Sequence, residues 1–174
     1  TYTISANTGS GDNTLRLDLV DNDSITDPAG NMPGGTGSGN GNYNNGEIYS
    51  IHKSTPSVIS IIRANSNPTN SANAGFIVTF SEIVTGVDLS DFNLVAANII
   101  GASISSVNGS GNTYTVSINT GSGDGTLHID LMDNDSIINE SGSTLGNTGV
   151  GNGNFINGET YTIDKTPPIA TSII

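Results

Sequence analysis

The chain of 174 residues contains no cysteine and no tryptophan, and only four of its residues are lysine or arginine. Without cysteine there is no disulfide framework and no thiol site, and two histidines are too few ligands for a zinc site. The 16 acidic residues give a net charge of −12, which repels the phosphates of nucleic acids and the headgroups of anionic lipids. We therefore expect no nucleic-acid partner.

Long apolar runs are also missing from the sequence. No stretch approaches the roughly 20 apolar residues that a membrane-spanning helix needs, so we expect no membrane insertion. No segment repeats its apolar residues with a period of about 3.6, which predicts almost no helix. The sequence has no phosphate-binding loop and no recurring arrangement of serine, histidine and aspartate, and we expect no enzymatic activity.

What the sequence does contain is an internal repeat. Residues 113–174 align without a gap with residues 1–62, and about 37 of the 62 pairs are identical at an offset of 112 residues. Asp133, for example, corresponds to Asp21. Self-similarity at a fixed period is typical of a tandem array of structural units. The alignment predicts three parts: the incomplete second half of a repeat over 1–56, a complete repeat over 57–168, and the first strand of a following repeat over 169–174.

The incomplete copy has a predicted consequence for its apolar residues. Residues 1–56 match three strand-like pieces of the complete repeat, TYTVSIN, GTLHIDLMDND and GETYTIDKTPP, but lack its first four strands. We expect residues 1–56 to be completed by other polypeptide, either upstream sequence of a longer parent protein or a neighbouring chain that docks head to tail. Without it, the inner side chains would face water: Leu15, Leu17, Leu19, Tyr49 and Ile51.

Apolar and polar residues alternate in short runs through the complete repeat, which predicts strands with one buried face. Seven such runs in about 110 residues are typical of an all-β, immunoglobulin-like antiparallel β-sandwich. The predicted strands cover residues 58–62, 76–80, 92–94, 104–107, 114–118, 127–131 and 161–163. The predicted core consists of Phe76, Val78, Phe80, Tyr114, Val116, Leu127, Ile129, Leu131, Tyr161 and Ile163.

Three stretches of the repeat carry a resemblance to a known family: GTLHIDLMDND, GNGNFINGETYTIDKTPP and FIVTFSEIVTGVDLSDF. They resemble the tandem immunoglobulin-like modules of very large bacterial surface proteins and adhesins, and the resemblance extends over nearly the whole chain. It implies modules that stack end to end, an extracellular or cell-surface location in bacteria, and calcium at the module junctions. The partners it implies are neighbouring repeats of the same or identical chains, including a head-to-tail homopolymer.

Acidic residues recur in a pattern that suits calcium. In an extended segment, residues two apart point the same way, so the carboxylates of Asp133 and Asp135 would converge on one cation. Calcium takes about six to eight oxygen ligands, and the following loop, rich in glycine and asparagine, could supply further carbonyls. The alternative is that these acids are solubilising surface charges and Asx-turn residues. The predicted ligands are Asp21, Asp23, Asp27, Asp133, Asp135, Glu159 and Asp164.

Together these patterns predict a structural function, namely a spacer or fibre-forming array on a cell surface or in a secreted protein. Pro56, Pro167 and Pro168 would restrict the backbone at the junctions and limit bending between modules. The alternative function is a ligand-binding adhesin module that recognises glycan or protein through its loops. Such a module should display a loop lined by aromatic residues, whereas the loops here consist of Gly, Asn and Ser, which favours the spacer.

Overall fold

A computed structural model of the chain describes residues 1–173 and shows an all-β protein. The only helix among these residues is a single 3₁₀ turn over Leu89–Asp91, as the lack of helical periodicity predicts. None of the described residues forms a helix with the length and apolar character that crossing a membrane requires. The strands are β1 (Asn13–Arg16), β2 (Ile48–Ile51), β3 (Val58–Arg63), β4 (Asn73–Phe80), β5 (Val84–Thr85), β6 (Phe92–Ala97), β7 (Ser103–Ser110), β8 (Thr113–Asn119), β9 (Gly125–Leu131), β10 (Ile138–Asn139) and β11 (Tyr161–Ile163).

The contacts divide the chain into two compact units, unit 1 over Thr1–Ser54 and unit 2 over Thr55–Ile174. This boundary lies two residues before the one that the alignment predicts after Pro56. Pro56 is buried, and its carbonyl accepts a hydrogen bond from the Gly146 N–H at 2.9 Å. Pro56 therefore belongs to unit 2 and is not a free linker residue.

Unit 2 has the layered antiparallel architecture of a β-sandwich. One sheet has the strand order β3-β4-β8-β7 and the other has the order β11-β9-β6, while β5 and β10 form a short separate pair. All seven predicted strands are confirmed, and all ten predicted core residues are buried. The core includes two edge-to-face ring pairs, Phe76 with Tyr161 at 5.1 Å and Phe80 with Tyr114 at 5.9 Å. Such pairs add about 0.5–1.5 kcal/mol to the burial of their rings.

Unit 1 repeats the pairing of β9 with β11. In unit 2, Leu127 of β9 lies opposite Tyr161 of β11. In unit 1, β1 and β2 are antiparallel, and Leu15 lies opposite Tyr49. These two pairs of residues are related by the offset of 112 that the alignment gives. The repeat in the sequence is therefore accompanied by a repeat in strand pairing.

The two units differ in how well they bury equivalent residues. Leu127, Ile129, Leu131, Tyr161 and Ile163 are all buried in unit 2. Their counterparts in unit 1 are exposed or half-buried, with 58% of Leu17 and 59% of Tyr49 accessible to solvent. This confirms the prediction that the inner faces of the three-strand fragment meet water when the first half of the repeat is missing.

Two predicted strands are not formed. Residues 1–7 have no regular secondary structure, although their counterpart in unit 2 is the central strand β8. Residues 169–173 also form no strand, and Ile174, the last residue of that predicted strand, lies outside the described residues. A strand needs a neighbour to take its hydrogen bonds, and β8 has neighbours on both sides that unit 1 lacks. That residues 169–174 begin a following repeat stays a prediction.

Candidate functional site

The acidic loop that follows β9 is organised by the carboxylate of Asp133. This side chain is almost fully buried, and its Oδ1 accepts the Asp135 N–H at 3.0 Å. Its Oδ2 accepts the Gly153 N–H at 3.1 Å. The backbone of Asp133 donates to Asn154 Oδ1 at 2.7 Å and accepts from the Gly151 N–H at 3.0 Å. A single aspartate thus joins the beginning of the long loop to residues near its end.

Asp135 corrects the geometry on which the calcium prediction was based. Its φ is 65°, so the chain turns at this residue and is not extended there. Asn and Asp tolerate this left-handed conformation better than other residues that carry side chains. The Asp135 carboxylate accepts the Gly149 N–H at 3.1 Å, across the loop. The argument that Asp133 and Asp135 point the same way along an extended segment is therefore wrong, and both residues make Asx-type contacts with the backbone.

Unit 1 builds the same loop from its own copy of the sequence. The buried carboxylate of Asp21 accepts the N–H groups of Asp23 and Gly41, each at 3.1 Å. Asp23 has a φ of 61°, and its carboxylate accepts the Gly37 N–H at 3.0 Å. Because unit 1 has no complete core, these local hydrogen bonds organise the loop without support from a second sheet.

The other three predicted ligands lie in separate local networks. Glu159 forms an ion pair with Arg63 at 3.3 Å. Asp164 accepts a hydrogen bond from a neighbouring backbone N–H at 3.2 Å. The pKa of Asp27 is lowered by hydrogen bonds from the Asn31 side chain and backbone. Within residues 1–173, no three acidic or histidine side chains are grouped so that they could hold a metal ion.

Calcium binding stays a prediction from the sequence, and its expected size makes it easy to test. A ligand that binds only the folded state adds about 2.7 kcal/mol at a hundredfold excess over its Kd. We then expect the melting temperature of the full chain to be several degrees higher in millimolar calcium than in EDTA. Sodium chloride at matched ionic strength controls for screening of the negative surface. Equal melting temperatures in calcium and EDTA would contradict the prediction.

A second recurrent network fastens the chain that leaves the last strand of each repeat. In unit 2, Asp124 in the β8–β9 turn accepts hydrogen bonds from the Lys165 N–H at 2.6 Å and from the Thr166 hydroxyl. The Lys165 ammonium donates to Thr120 Oγ1 at 2.9 Å and to the Gly121 carbonyl at 2.6 Å. We call this set the exit clamp. The interpretation of Lys165 as a solvent-facing linker charge is wrong, because the side chain is half-buried and bonded.

Unit 1 has an equivalent exit clamp. Asp12 accepts the backbone N–H groups of Lys53 and Ser54, and the Lys53 ammonium donates to the Gly9 carbonyl. The hydrogen bond from Lys53, followed by those from Ser54, lowers the pKa of Asp12 to about 2. In unit 2, the Thr166 hydroxyl and then the Lys165 N–H lower the pKa of the equivalent carboxylate. The sequence contained a sign of this network, since the acid and the lysine both recur at the same offset.

The exit clamp of unit 1 should open in acid. Because the pKa of Asp12 is lower in the folded chain, its contribution is present above the unfolded value of about 3.9 and is lost as the pH falls towards about 2. We expect a carboxyl titration by NMR to show a midpoint near 2 for Asp12, with loss of amide protection at Lys53 and Ser54 in the same range. Asp12→Asn is the control, because its amides should be unprotected at neutral pH. A midpoint close to the unfolded value would contradict the clamp.

Asp91 is a third structural acid that the sequence did not single out. Its carboxylate is buried, accepts the Asp88 N–H at 2.7 Å and accepts the Ser136 hydroxyl at 2.9 Å. Burial raises the pKa of Asp91. Its carbonyl accepts the Met132 N–H at 2.7 Å, next to the acidic loop. Asp91 thus connects the 3₁₀ turn to the chain on both sides of Asp133.

What these networks do follows from their geometry alone, because comparisons with protein-family models, curated proteins and solved structures found no match. The acidic side chains hold two loops and one chain exit in defined conformations. Each contact of the acidic loop and of the exit clamp joins residues that are far apart in the sequence, up to 45 positions in the clamp. The chemistry of the recurrent acids in this structure is the fastening of backbone.

Proposed function

We propose that the chain is part of a tandem array of immunoglobulin-like β-sandwich modules, which acts as a spacer or fibre in an extracellular or cell-surface bacterial protein. The observation that supports this most directly is the recurrence of strand pairing, acidic loop and exit clamp at one offset of 112 residues. A spacer requires each module to repeat the contacts that define its shape. A ligand site requires side chains that differ from the common framework.

The distribution of aromatic residues favours the spacer over the adhesin module. Unit 2 contains four phenylalanines and two tyrosines, and each of them is buried or half-buried. The exposed tyrosines are Tyr2, Tyr43 and Tyr49, all in the incomplete unit 1. Recognition surfaces are enriched in exposed tyrosine and tryptophan. The complete module therefore offers no aromatic platform for a glycan or a protein.

The exit clamp provides a physical reason for stiffness. It holds Lys165 and Thr166 against the β8–β9 turn, and Pro167 and Pro168 follow immediately. Proline fixes its own φ near −65° and restricts the residue before it. The chain thus leaves the module through a fastened segment and then a rigid one, which limits the directions that the next module can take. Calcium at the junctions would stiffen the array further.

Solution scattering from concatenated repeats tests the proposal. Proteins with one, two and four copies of residues 57–168 should show a maximum dimension that increases by a constant increment for each added copy. The matched control carries Pro167→Gly and Pro168→Gly at every junction, and we expect it to be less extended at the same molecular mass. A maximum dimension that scales as that of a compact globule, or that is unchanged by the glycine substitutions, would contradict a spacer.

A further inference from the structure

Unit 1 has an apolar groove of about 590 Å³ on one face of the β1–β2 pair. Leu15, Leu17, Leu19 and Tyr49 line it, together with Ile4 from the segment that precedes β1. Contiguous apolar surface of this kind marks a place where another polypeptide packs. The groove includes the inner side chains that the missing half of the repeat would cover.

Unit 2 shows what covers the equivalent face. Residues 57–112 contain β3, β4 and β7, which complete the sheet opposite β9 and β11. The ring of Tyr161, the counterpart of Tyr49, packs edge-to-face on Phe76 of β4, and its hydroxyl donates to the Gly75 carbonyl at 2.8 Å. The same tyrosine in unit 1 therefore lacks both a ring neighbour and this acceptor.

The segment before β1 lacks its strand neighbours in the same way. In unit 2, β8 pairs with β4 on one side and with β7 on the other. Residues 1–7 correspond to β8, and they form no strand. A partner that supplied strands of the β4 and β7 type would give these residues hydrogen bonds on both sides.

Charge and backbone hydrogen bonds at the rim of the groove match the same partner. The Arg63 guanidinium approaches the Glu159 carboxylate at 3.3 Å, and the Arg63 N–H donates to it at 2.7 Å. The Glu159 N–H donates to the Ile61 carbonyl of β3 at 2.9 Å. Glu47, the counterpart of Glu159, is exposed in unit 1. An arginine placed like Arg63 would complement its charge.

We propose that the groove of unit 1 is the docking surface for a polypeptide segment equivalent to residues 57–112, the first half of the same repeat. This segment supplies the apolar face of β4, the strands that flank residues 1–7, and an arginine for Glu47. Unit 1 then becomes a second complete sandwich. The inference rests on the proposed repeat array, but it concerns the partner of one surface and has its own test.

The test extends the full chain by a second copy of residues 57–112 placed directly before Thr1, so that the junction repeats the natural step from Asn112 to Thr113. We expect the amides of residues 2–7 to exchange with solvent on the order of a thousandfold more slowly than in the unextended chain, because they become paired within a cooperative unit. The matched control carries Phe76→Ser, Val78→Ser and Phe80→Ser in the added copy only. Its amides over residues 2–7 should remain unprotected.

Unit 2 is identical in all three proteins, and its amides are the internal standard for folding. Equal exchange of residues 2–7 in the extended and unextended chains would overturn the proposal, even if concatenated repeats form rods. Equal protection in the extended chain and its serine control would overturn it too. So would protection of residues 2–7 in the unextended chain that increases with concentration together with a dimer mass, since the groove would then bind a second copy of the present chain.

Discussion

Tyr161→Ala is expected to lower the free energy of unfolding of unit 2 by about 3–5 kcal/mol, the range for large aromatic residues in a core. The ring is fully buried against Phe76, and the hydroxyl donates to the Gly75 carbonyl and accepts the Asn65 N–H at 2.9 Å. The substitution would leave a cavity and two polar groups without their partner. Because domains of this size are typically stable by about 5–15 kcal/mol, unit 2 would be close to unfolding.

The repeat supplies a matched control for this substitution. Tyr49 occupies the equivalent position, but 59% of it is exposed, so Tyr49→Ala should change stability by no more than about 0.5 kcal/mol. Urea unfolding followed by circular dichroism and by amide resonances of each unit measures both variants. Equal losses from Tyr161→Ala and Tyr49→Ala would contradict the difference in packing between the two units.

The second large effect is expected from Asp133→Ala. The substitution removes the acceptor for the N–H groups of Asp135 and Gly153 in a buried loop. Each unsatisfied buried group costs about 1–3 kcal/mol, so we expect a loss of about 2–4 kcal/mol. Asp133→Asn retains one side-chain oxygen as an acceptor and should lose less. Thermal and urea unfolding of the full chain give these values.

Measurements in EDTA separate this structural role from a metal-binding one. The expected loss from Asp133→Ala is the same in EDTA and in calcium, because its cause is the loss of hydrogen bonds to backbone. Asp164→Ala is the control, since this exposed acid accepts a single backbone hydrogen bond, and its effect should stay within about 0.5 kcal/mol. A destabilisation by Asp133→Ala that vanishes in EDTA would show that the acidic loop depends on a cation.

The strands and the core of unit 2 were predictable because they depend on a local pattern. In TYTVSIN, every second residue is apolar, and Tyr114, Val116 and Ile118 are all buried. The strands β5 and β10 were missed because they have two residues each, too few to show a period. The lack of strands at residues 1–7 and 169–173 could not be predicted from their own sequences, which alternate as those of true strands do. A strand also depends on neighbours in space.

The role of the acids was harder to predict than their position. The recurrence of Asp133 and Asp21 in the alignment correctly marked a shared local structure. Their hydrogen-bond acceptance from glycines 20 residues away has no periodic trace in the sequence. The convergent arrangement assumed for calcium failed because Asp135 adopts a positive φ, which single residues of this type reach in turns. Asp124 was overlooked because its partner Lys165 lies 41 positions further along the chain.

Single-molecule stretching of four concatenated copies of residues 57–168 tests most directly whether the repeat is an autonomous module of a load-bearing spacer. Each copy should unfold separately and give an equal increase in contour length. An extended chain spans at most about 3.6 Å per residue, so a unit of 112 residues predicts increments just under about 400 Å. Four equal force peaks with this spacing are the expected result. One merged transition, or increments that do not correspond to a whole repeat, would contradict the modular array.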